Sequence, residues 1–391
     1  MKMTENKNPL TLKAINGLAS ISAQEWNACA GETNPFVSYE FLSALEDSGS
    51  VCAETGWLPQ HIIAQNKDGA LQAAAPCYLK NHSYGEYVFD WGWAEAFERA
   101  GGTYYPKLQV AVPFTPVTGP RLLVRDGEDL DYARTNLISG LKDYISARGV
   151  SSLHITFCDK QEYSFLSDSG FLKRIGKQFH WYNQGYSNFD DFLDNLTSRK
   201  RKAIRKERKA ANQGLKIETL SGMDLKESHL DAFYNFYLNT VDKKWAHAYL
   251  NRDFFSVLRE RLADKVVLFF ATKDQEPIAA ALNLRGKETL YGRNWGCSVQ
   301  WPMLYFELCF YRAIDYAIEE NLGRVEAGAQ GPHKISRGYL PSETFSAHWI
   351  KHDGFKEAVS RFLDQEKKET EAEMLFLEQS RSPYKRGYFK R

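Results

Sequence analysis

Apolar positions recur along this chain with two periods, and each period marks one kind of element. Phe41, Leu42 and Leu45 share a face of a helix read over Ser38 to Ser48 and ended by Gly49. Phe189, Phe192, Leu193 and Leu196 make a second such stripe, and Met303, Phe306, Phe310, Tyr311, Ile314 and Ile318 a third. Ser22, with Glu25 three residues on, has the spacing of a capped helix start. Further helices are expected over Asp129 to Ala147, Lys226 to Lys244, Asp253 to Ala263 and Lys356 to Gln379. Between them lie extended runs: His61 to Gln65, Ala70 to Leu79 after a Lys67-Asp68-Gly69 turn, and Tyr84 to Trp91.

The succession returns. Val266 to Ala271, Pro277 to Leu284 and Thr289 to Trp295 read as three strands, followed by the helix Met303 to Glu320 and a strand Arg324 to Gln330. The first copy has its helix and then Val150 to Phe157. Lys67-Asp68 matches Lys273-Asp274 and Ala73-Ala74-Ala75 matches Ala279-Ala280-Ala281, both 206 residues apart, while Trp91-Gly92 matches Trp295-Gly296 with a small offset. Three strands, a helix and a strand, twice over, predict a duplicated α/β unit of mixed sheets flanked by helices. The expected layout is a flexible tail over 1–13, a first lobe over 14–187 with an aromatic insertion at 95–123, a connecting region with a basic helix over 188–264, and a second lobe over 265–391. The basic ending SPYKRGYFKR reads as flexible.

Composition narrows the classes. An apolar content of 43% and an aromatic content of 14% over 391 residues allow a substantial core. A net charge of +1 supplies no global field for nucleic acid or membrane, so such a partner needs a local patch. The six cysteines show no metal or CxxC spacing, no run approaches the length of a membrane span, and MKMTENKNPLTLK has no apolar signal core. A soluble cytoplasmic protein with reduced thiols, no metal and no required cofactor is expected. No G-x-S-x-G, Walker, GxGxxG or HExxH motif occurs, which argues against hydrolase, kinase, dehydrogenase and metalloprotease chemistry.

The polar residues that break these patterns are the candidates for chemistry. On the strand Val325 to Gln330, alternation puts Glu326, Gly328 and Gln330 on one face, and Gly331-Pro332 then delivers His333, Lys334 and Arg337 into a loop. Tyr291, Arg293 and Trp295 share a face of the strand expected to lie beside it. Glu307 falls on an apolar helix stripe, where burial would raise its pKa toward the range of a general base. From Ser198 the chain carries eight Lys/Arg against the single Glu207. Arg201, Arg205 and Arg208 form one helical stripe beside Lys202, Lys206 and Lys209, an arrangement suited to phosphate because the run has so little compensating carboxylate.

With these residues in view, the sequence resembles the FemAB-like predicted N-acyltransferases, bacterial relatives of the Fem peptidyl transferases of peptidoglycan cross-bridge synthesis. The resemblance covers nearly the whole chain and rests on NPFVSYEFLSALEDSG from Asn34, TGWLPQH from Thr55, GEYVFDWGWA from Gly85, PFTPVTGPRLL from Pro113, SRKRKAIRKERKAANQG from Ser198, TLYGRNWG from Thr289, GAQGPHK with RGYLP, and SAHW from Ser346. It implies two tandem GNAT-like acyltransferase folds, with the acyl donor entering where Thr289 to Trp295 and Val325 to Gln330 splay apart. It also implies an aminoacyl-tRNA donor and an amine-bearing acceptor on a nucleotide-linked peptide. The turn Gly296 to Met303 lacks the glycines with which acyl-CoA enzymes of this fold cradle a pyrophosphate.

The expected reaction is transfer of an acyl or aminoacyl group from an activated ester to a primary amine. Glu326 or Glu307 serves as base, Lys334 and Arg293 stabilise developing negative charge, and Arg201, Lys202, Arg205 and Arg208 hold phosphate. Tyr291, Trp295, Gln330, His333, Tyr78 and Lys80 contact substrate, the last two on the acceptor side. The alternatives are an acyl-CoA-dependent N-acyltransferase and a non-catalytic protein that binds a peptidoglycan precursor or RNA.

Overall fold

The computed structural model describes residues 9–242, 248–328 and 331–388. The expected mobile start lies outside it up to residue 8, as do part of the Lys226 to Lys244 helix and Gln330. Two compact units divide the chain, one of Met1–Gly176 with Thr344–Lys368, the other of Lys177–Glu343 with Glu369–Arg391. The basic helix therefore belongs to the second unit, and the first takes back a segment from beyond residue 340.

In the second unit the strands Lys216–Leu220, Val266–Lys273, Glu276–Arg285 and Thr289–Cys297 are antiparallel neighbours in that order. A helical crossover over 304–319 then returns the chain to Arg324–Glu326, parallel to Thr289–Cys297, and His180–Tyr182 pairs antiparallel on its far side. The parallel step needs the crossover, because a hairpin joins only antiparallel strands. Leu290, Val325 and Trp181 point into an apolar core with Ile314, Ala317, Phe192 and Ile204.

The first unit repeats the plan. Thr11–Ile15, His61–Gln65, Leu71–Ala75 and Leu123–Val124 form an antiparallel sheet, so Thr11 to Lys13 are ladder residues and not tail. Beyond Pro76 the chain continues as Cys77–Lys80, antiparallel to Trp57–Pro59 and to Lys107–Val110. The helix Leu130–Arg148 crosses over to Ser152–Cys158, which runs parallel to Lys107–Val110 and antiparallel to residues 345–350. The duplicated, mixed α/β architecture expected of two GNAT-like lobes is thus present.

Three expected elements differ. Tyr84 to Trp91 is an irregular loop, and Trp91 opens a helix, Trp91–Arg99. The third strand of the first unit is Lys107–Val110, inside the aromatic insertion, so Trp91-Gly92 has no structural match in Trp295-Gly296. The helix after Met303 is interrupted by a π-turn at Glu307–Tyr311. The chain's basic ending is tied down at Tyr384, whose buried hydroxyl donates to the Gly338 carbonyl at 2.8 Å.

The helix Glu227–Asp242 packs on Thr289–Cys297, and Gly296 permits the approach: a Cβ there would lie 2.1 Å from the Phe236 carbonyl oxygen. Backbone meets backbone, so no side-chain rotation relieves the overlap. Gly296→Ala is expected to cost about 3 kcal/mol in urea unfolding, whereas Gly69→Ala, at a turn with open space around it, should cost only the strain of its left-handed backbone.

Candidate functional site

The face of the second unit's sheet opposite its core is polar. Tyr291 pairs with Glu326, and Glu326 pairs with His180, so the three side chains stand on one face. Gln178, Tyr182 and Arg324 join them by alternation, while Phe179 and Trp181 turn to the core. Glu326 is 2% exposed, and neither of its carboxylate oxygens has a hydrogen-bond partner among the described residues. Arg324 Nε lies 3.0 Å from Oε1 without hydrogen-bond alignment, and donates instead to Thr289 Oγ1 at 3.1 Å. His180 Nε2 is 4.0 Å from Oε2. Burial pushes the Glu326 carboxyl up to about 7, with Arg324 pulling against the rise. Burial likewise holds His180 down at about 3, so its ring is neutral. The Tyr291 hydroxyl is pushed up to about 12 by burial and by the Glu326 charge.

Beyond Glu326 the strand ends. Gly328 has a left-handed backbone (φ 79°), and a short 3₁₀ helix, Pro332–Arg337, follows. Lys334 is 2% exposed, donates to the Gly328 carbonyl at 2.8 Å, and is held down at about 8 by burial despite the opposing influence of Cys309. His333 is exposed and rests against the rings of Tyr305, Phe306 and Phe310 at 5.7–6.0 Å. Arg337 sits 3.4 Å over the Phe306 ring and donates to Glu207 at 2.9 Å.

A β-bulge corrects the expected sharing of one face by Tyr291, Arg293 and Trp295. Asn283 opposes Gly292 and Leu282 opposes Asn294, leaving Arg293 as the extra residue. The alternation shifts by one there, so Tyr291 faces Glu326 while Trp295 packs with the core beside Leu290 and meets Tyr305 at 5.5 Å. Arg293 stays half-buried at the bulge.

Glu307 is fully buried, as its helix stripe predicts, but it is not an isolated carboxylate. Arg208 donates to both of its oxygens at 3.2 and 3.0 Å, and Arg312 Nε lies 3.0 Å away. The same Arg208 guanidinium bridges to Asp315. Arg201 and Arg205 pair with Asp194 at 3.0 Å and Asp190 at 2.8 Å. The stripe read as open to phosphate is therefore occupied, because carboxylates missing from its own run arrive from the preceding helix and the crossover helix. Arg199, Lys202, Lys206 and Lys209 occupy a neighbouring stripe of the helix Ser198–Asn212 and are exposed.

Tyr78 and Lys80 lie in the first unit, also on a polar sheet face. Trp57, Tyr78, Lys80, Lys107, Gln109, Ser152, His154 and His348 point to that face, and Leu79, Leu108, Leu153 and Ala347 to the core side. Lys107, fully buried, donates to Ser83 at 2.8 Å, to Glu86 at 2.7 Å and to Asp90. The Tyr104 hydroxyl donates to Asp90 at 2.6 Å, and His154 and His348 meet through their Nδ1 atoms at 2.7 Å. Lys80 sits 3.8 Å over the Trp57 ring and is held down at about 7, by burial first and with Glu86 as the main opposing influence. Sequence reasoning missed His180, Arg324 and Glu207. The alternation Gln178-His180-Tyr182 was the available signal for the first of these. Among the described residues no three His, Cys, Asp or Glu side chains gather as a metal site, and no helix is long and apolar enough to cross a membrane.

Among solved structures, FemX superposes with a TM-score of 0.55 at 13% identity over 87% of this chain and 98% of that one. A Bacteroides thetaiotaomicron protein of unknown function gives 0.51 at 10% identity over 87% and 100%. The C-terminal domain of a putative lysylphosphatidylglycerol synthetase from Agrobacterium fabrum gives 0.50 at 10% identity over 88% and 96%. At these identities the likeness is one of fold. A comparison with curated proteins gives no match. The profile of the FemAB-like family, described as peptidoglycan biosynthesis/recognition, matches residues 17–386, and the chain belongs to that family.

Proposed function

We propose that the second unit transfers an acyl or aminoacyl group from an activated ester to a primary amine in peptidoglycan-precursor metabolism, with Glu326 as general base. One observation carries the reading: a buried carboxylate whose two oxygens lack hydrogen-bond partners and whose pKa is raised to about 7. Such a group can take a proton near neutral pH, because burial has weakened its preference for the charged form. Glu307 is the weaker candidate, since both of its oxygens already accept from Arg208.

The neutral amine attacks the ester carbonyl carbon, its proton passes to Glu326, and the carbon–oxygen ester bond breaks to release the donor's hydroxyl with a proton. Lys334 and Arg293 stabilise negative charge on the carbonyl oxygen. Tyr291 and His333 border the donor end. The donor in this reading is an aminoacyl-tRNA and the acceptor a nucleotide-linked peptide, both cytoplasmic, which is in keeping with the family's description as peptidoglycan biosynthesis/recognition. The exposed stripe Arg199, Lys202, Lys206 and Lys209 suits the phosphates of such a donor. At the turn where an acyl-CoA enzyme would place glycines, the left-handed residue is Met303 (φ 60°), which argues against coenzyme A.

Incubating the protein with charged tRNA or acetyl-CoA and a nucleotide-linked muropeptide tests the donor. Amide formation only from acetyl-CoA would overturn the tRNA reading. With the productive pair, kcat/KM should fall on the acid side with a midpoint near pH 7. Glu326→Gln should lower it about 10²–10³-fold and remove that limb. The same substitution has a stability signature. The folded-state pKa is above the unfolded value, so this group's contribution is fully present below about 4.5 and is lost as pH rises through about 7. Glu326→Gln should therefore raise Tm at pH 8 and leave it unchanged at pH 4.

Two stripes of one helix should separate in a second test. Charge reversal at Lys202, Lys206 and Lys209 should weaken tRNA binding and reduce its log–log salt slope by roughly 2–3, with the fold intact. Arg208→Ala should instead destabilise by about 3–5 kcal/mol in urea unfolding, because it strands the buried Glu307. Arg205→Ala should change stability by less than about 1 kcal/mol, since both partners of its ion pair are exposed.

A further inference from the structure

Within the basic helix Ser198–Asn212 one carboxylate, Glu207, stands against eight Lys/Arg. A negative charge there works against the attraction of a polyanion, so the phosphate reading of this helix leaves Glu207 unexplained. Its partners give it another task. Three donations converge on one of its oxygens, Oε2: from Arg337 Nη2 at 2.9 Å, from Arg337 Nε at 3.1 Å, and from the Tyr311 hydroxyl. Two charge-assisted bonds from one planar guanidinium fix its direction as well as its distance.

Arg337 carries that grip into the loop beyond Glu326. Its Nη1 donates to the His333 carbonyl at 2.8 Å and to Ser336 Oγ at 3.2 Å, which closes the turn Pro332–Arg337 on itself. Arg337 is 6% exposed, so without Glu207 a buried cation would lose its carboxylate and would have to move toward water. The His333 carbonyl, bonded to the same guanidinium, would move with it. Lys334 is the next residue. Its ammonium forms no ion pair among the described residues and donates to the Gly328 carbonyl, so the backbone of the loop decides where that charge stands. The charge is felt on the polar sheet face, where it joins Arg324 in reinforcing the burial that keeps His180 neutral.

We propose that Glu207 is a positioning residue, which holds the loop 332–337 through Arg337 and thereby sets the place of the Lys334 ammonium. The single acid in the basic run is then no flaw in an anion-binding surface. It ties the helix to the loop, while the lysines of the neighbouring stripe face solvent. The anchoring rests on the contacts themselves, and its catalytic consequence rests on the transferase reading above.

Hydrogen exchange of the full chain, followed by mass spectrometry without any substrate, reads the anchoring. In Glu207→Ala, peptides covering 332–339 should exchange about tenfold or more faster than in the native protein, while the strands Val266–Lys273 and Glu276–Arg285 keep their rates. Glu207→Gln keeps the shape and an acceptor oxygen without the charge, and should give an intermediate rate with the fold secure. Glu218→Gln, which breaks the solvent-exposed pair with Lys216 in the same unit, should change nothing at the loop. With the productive donor and acceptor, Glu207→Ala should lower kcat about 10–100-fold and leave KM for the charged donor within about threefold, since the lysine stripe is untouched. Native exchange over 332–339 in Glu207→Ala would overturn the anchor, and so would acceleration spread evenly over the unit, the mark of a merely structural pair. Faster loop exchange with native kcat would overturn the positioning role, as would a raised KM at native kcat. Absence of turnover in the native protein with every donor would instead sink the transferase reading and the catalytic role with it, and the exchange rates would still decide the anchor.

Discussion

Parallel pairing between Thr289–Tyr291 and Arg324–Glu326 lasts three residues, and the candidate site depends on its stopping there. The pairing brings Tyr291 beside Glu326 and, through the next strand, Glu326 beside His180. It needs the crossover helix, whose apolar stripe covers the opposite face of the sheet with Leu290, Val325 and Trp181. Once the strand ends, the Gly328 carbonyl is free to accept from Lys334. A strand continued to Gln330, as its alternation suggests, would have directed backbone polar groups into a ladder. The short strand leaves a carboxylate buried at its tip with no ladder neighbour to satisfy it.

The environment assigns different roles to two equally buried glutamates. Glu307 accepts from Arg208 at both oxygens, and such an arrangement fixes structure, because removing the arginine would strand a charge. Glu326 has one misaligned arginine and a neutral imidazole for company. Desolvation without compensation leaves its proton exchangeable near neutrality. The first unit shows a third outcome at the same place in the fold. There Lys107 donates to one oxygen each of Glu86 and Asp90, and the two histidines meet each other through Nδ1.

Local chemistry made much of the fold legible. Ser22, Ser38 and Asp129 cap the helices their spacing announces, each side chain accepting from the backbone N–H three residues on. The duplication was legible because both hairpins and both crossover helices carry strong periods. The Arg293 bulge was not, since a one-residue slip leaves no mark in an alternating pattern until the partner strand is known. Lys107–Val110 was hidden inside an aromatic insertion, where four residues are too few to show a period. At the site, Glu326 and Lys334 stood out as polar breaks in the pattern, whereas His180 belongs to a distant strand and becomes relevant only through register.

The basic helix shows what composition alone leaves out of the arginine stripe. Like charges at helical spacing repel, and within the run only Glu207 offsets them. The fold supplies the missing carboxylates from Asp190, Asp194, Glu307 and Asp315, all more than a helical turn from their arginine and two of them about a hundred positions distant. They reach only the arginines, whose planar fork can bridge two carboxylates at once, as Arg208 does. The lysines of the neighbouring stripe keep their charge in water, where a compact ammonium loses least. Three guanidinium groups thereby bind the helix to its own unit, while Arg199 and the lysines of the neighbouring stripe stay exposed. A uniform run of lysine could not have been anchored so specifically, and a uniform run of arginine would have left less of its charge to solvent.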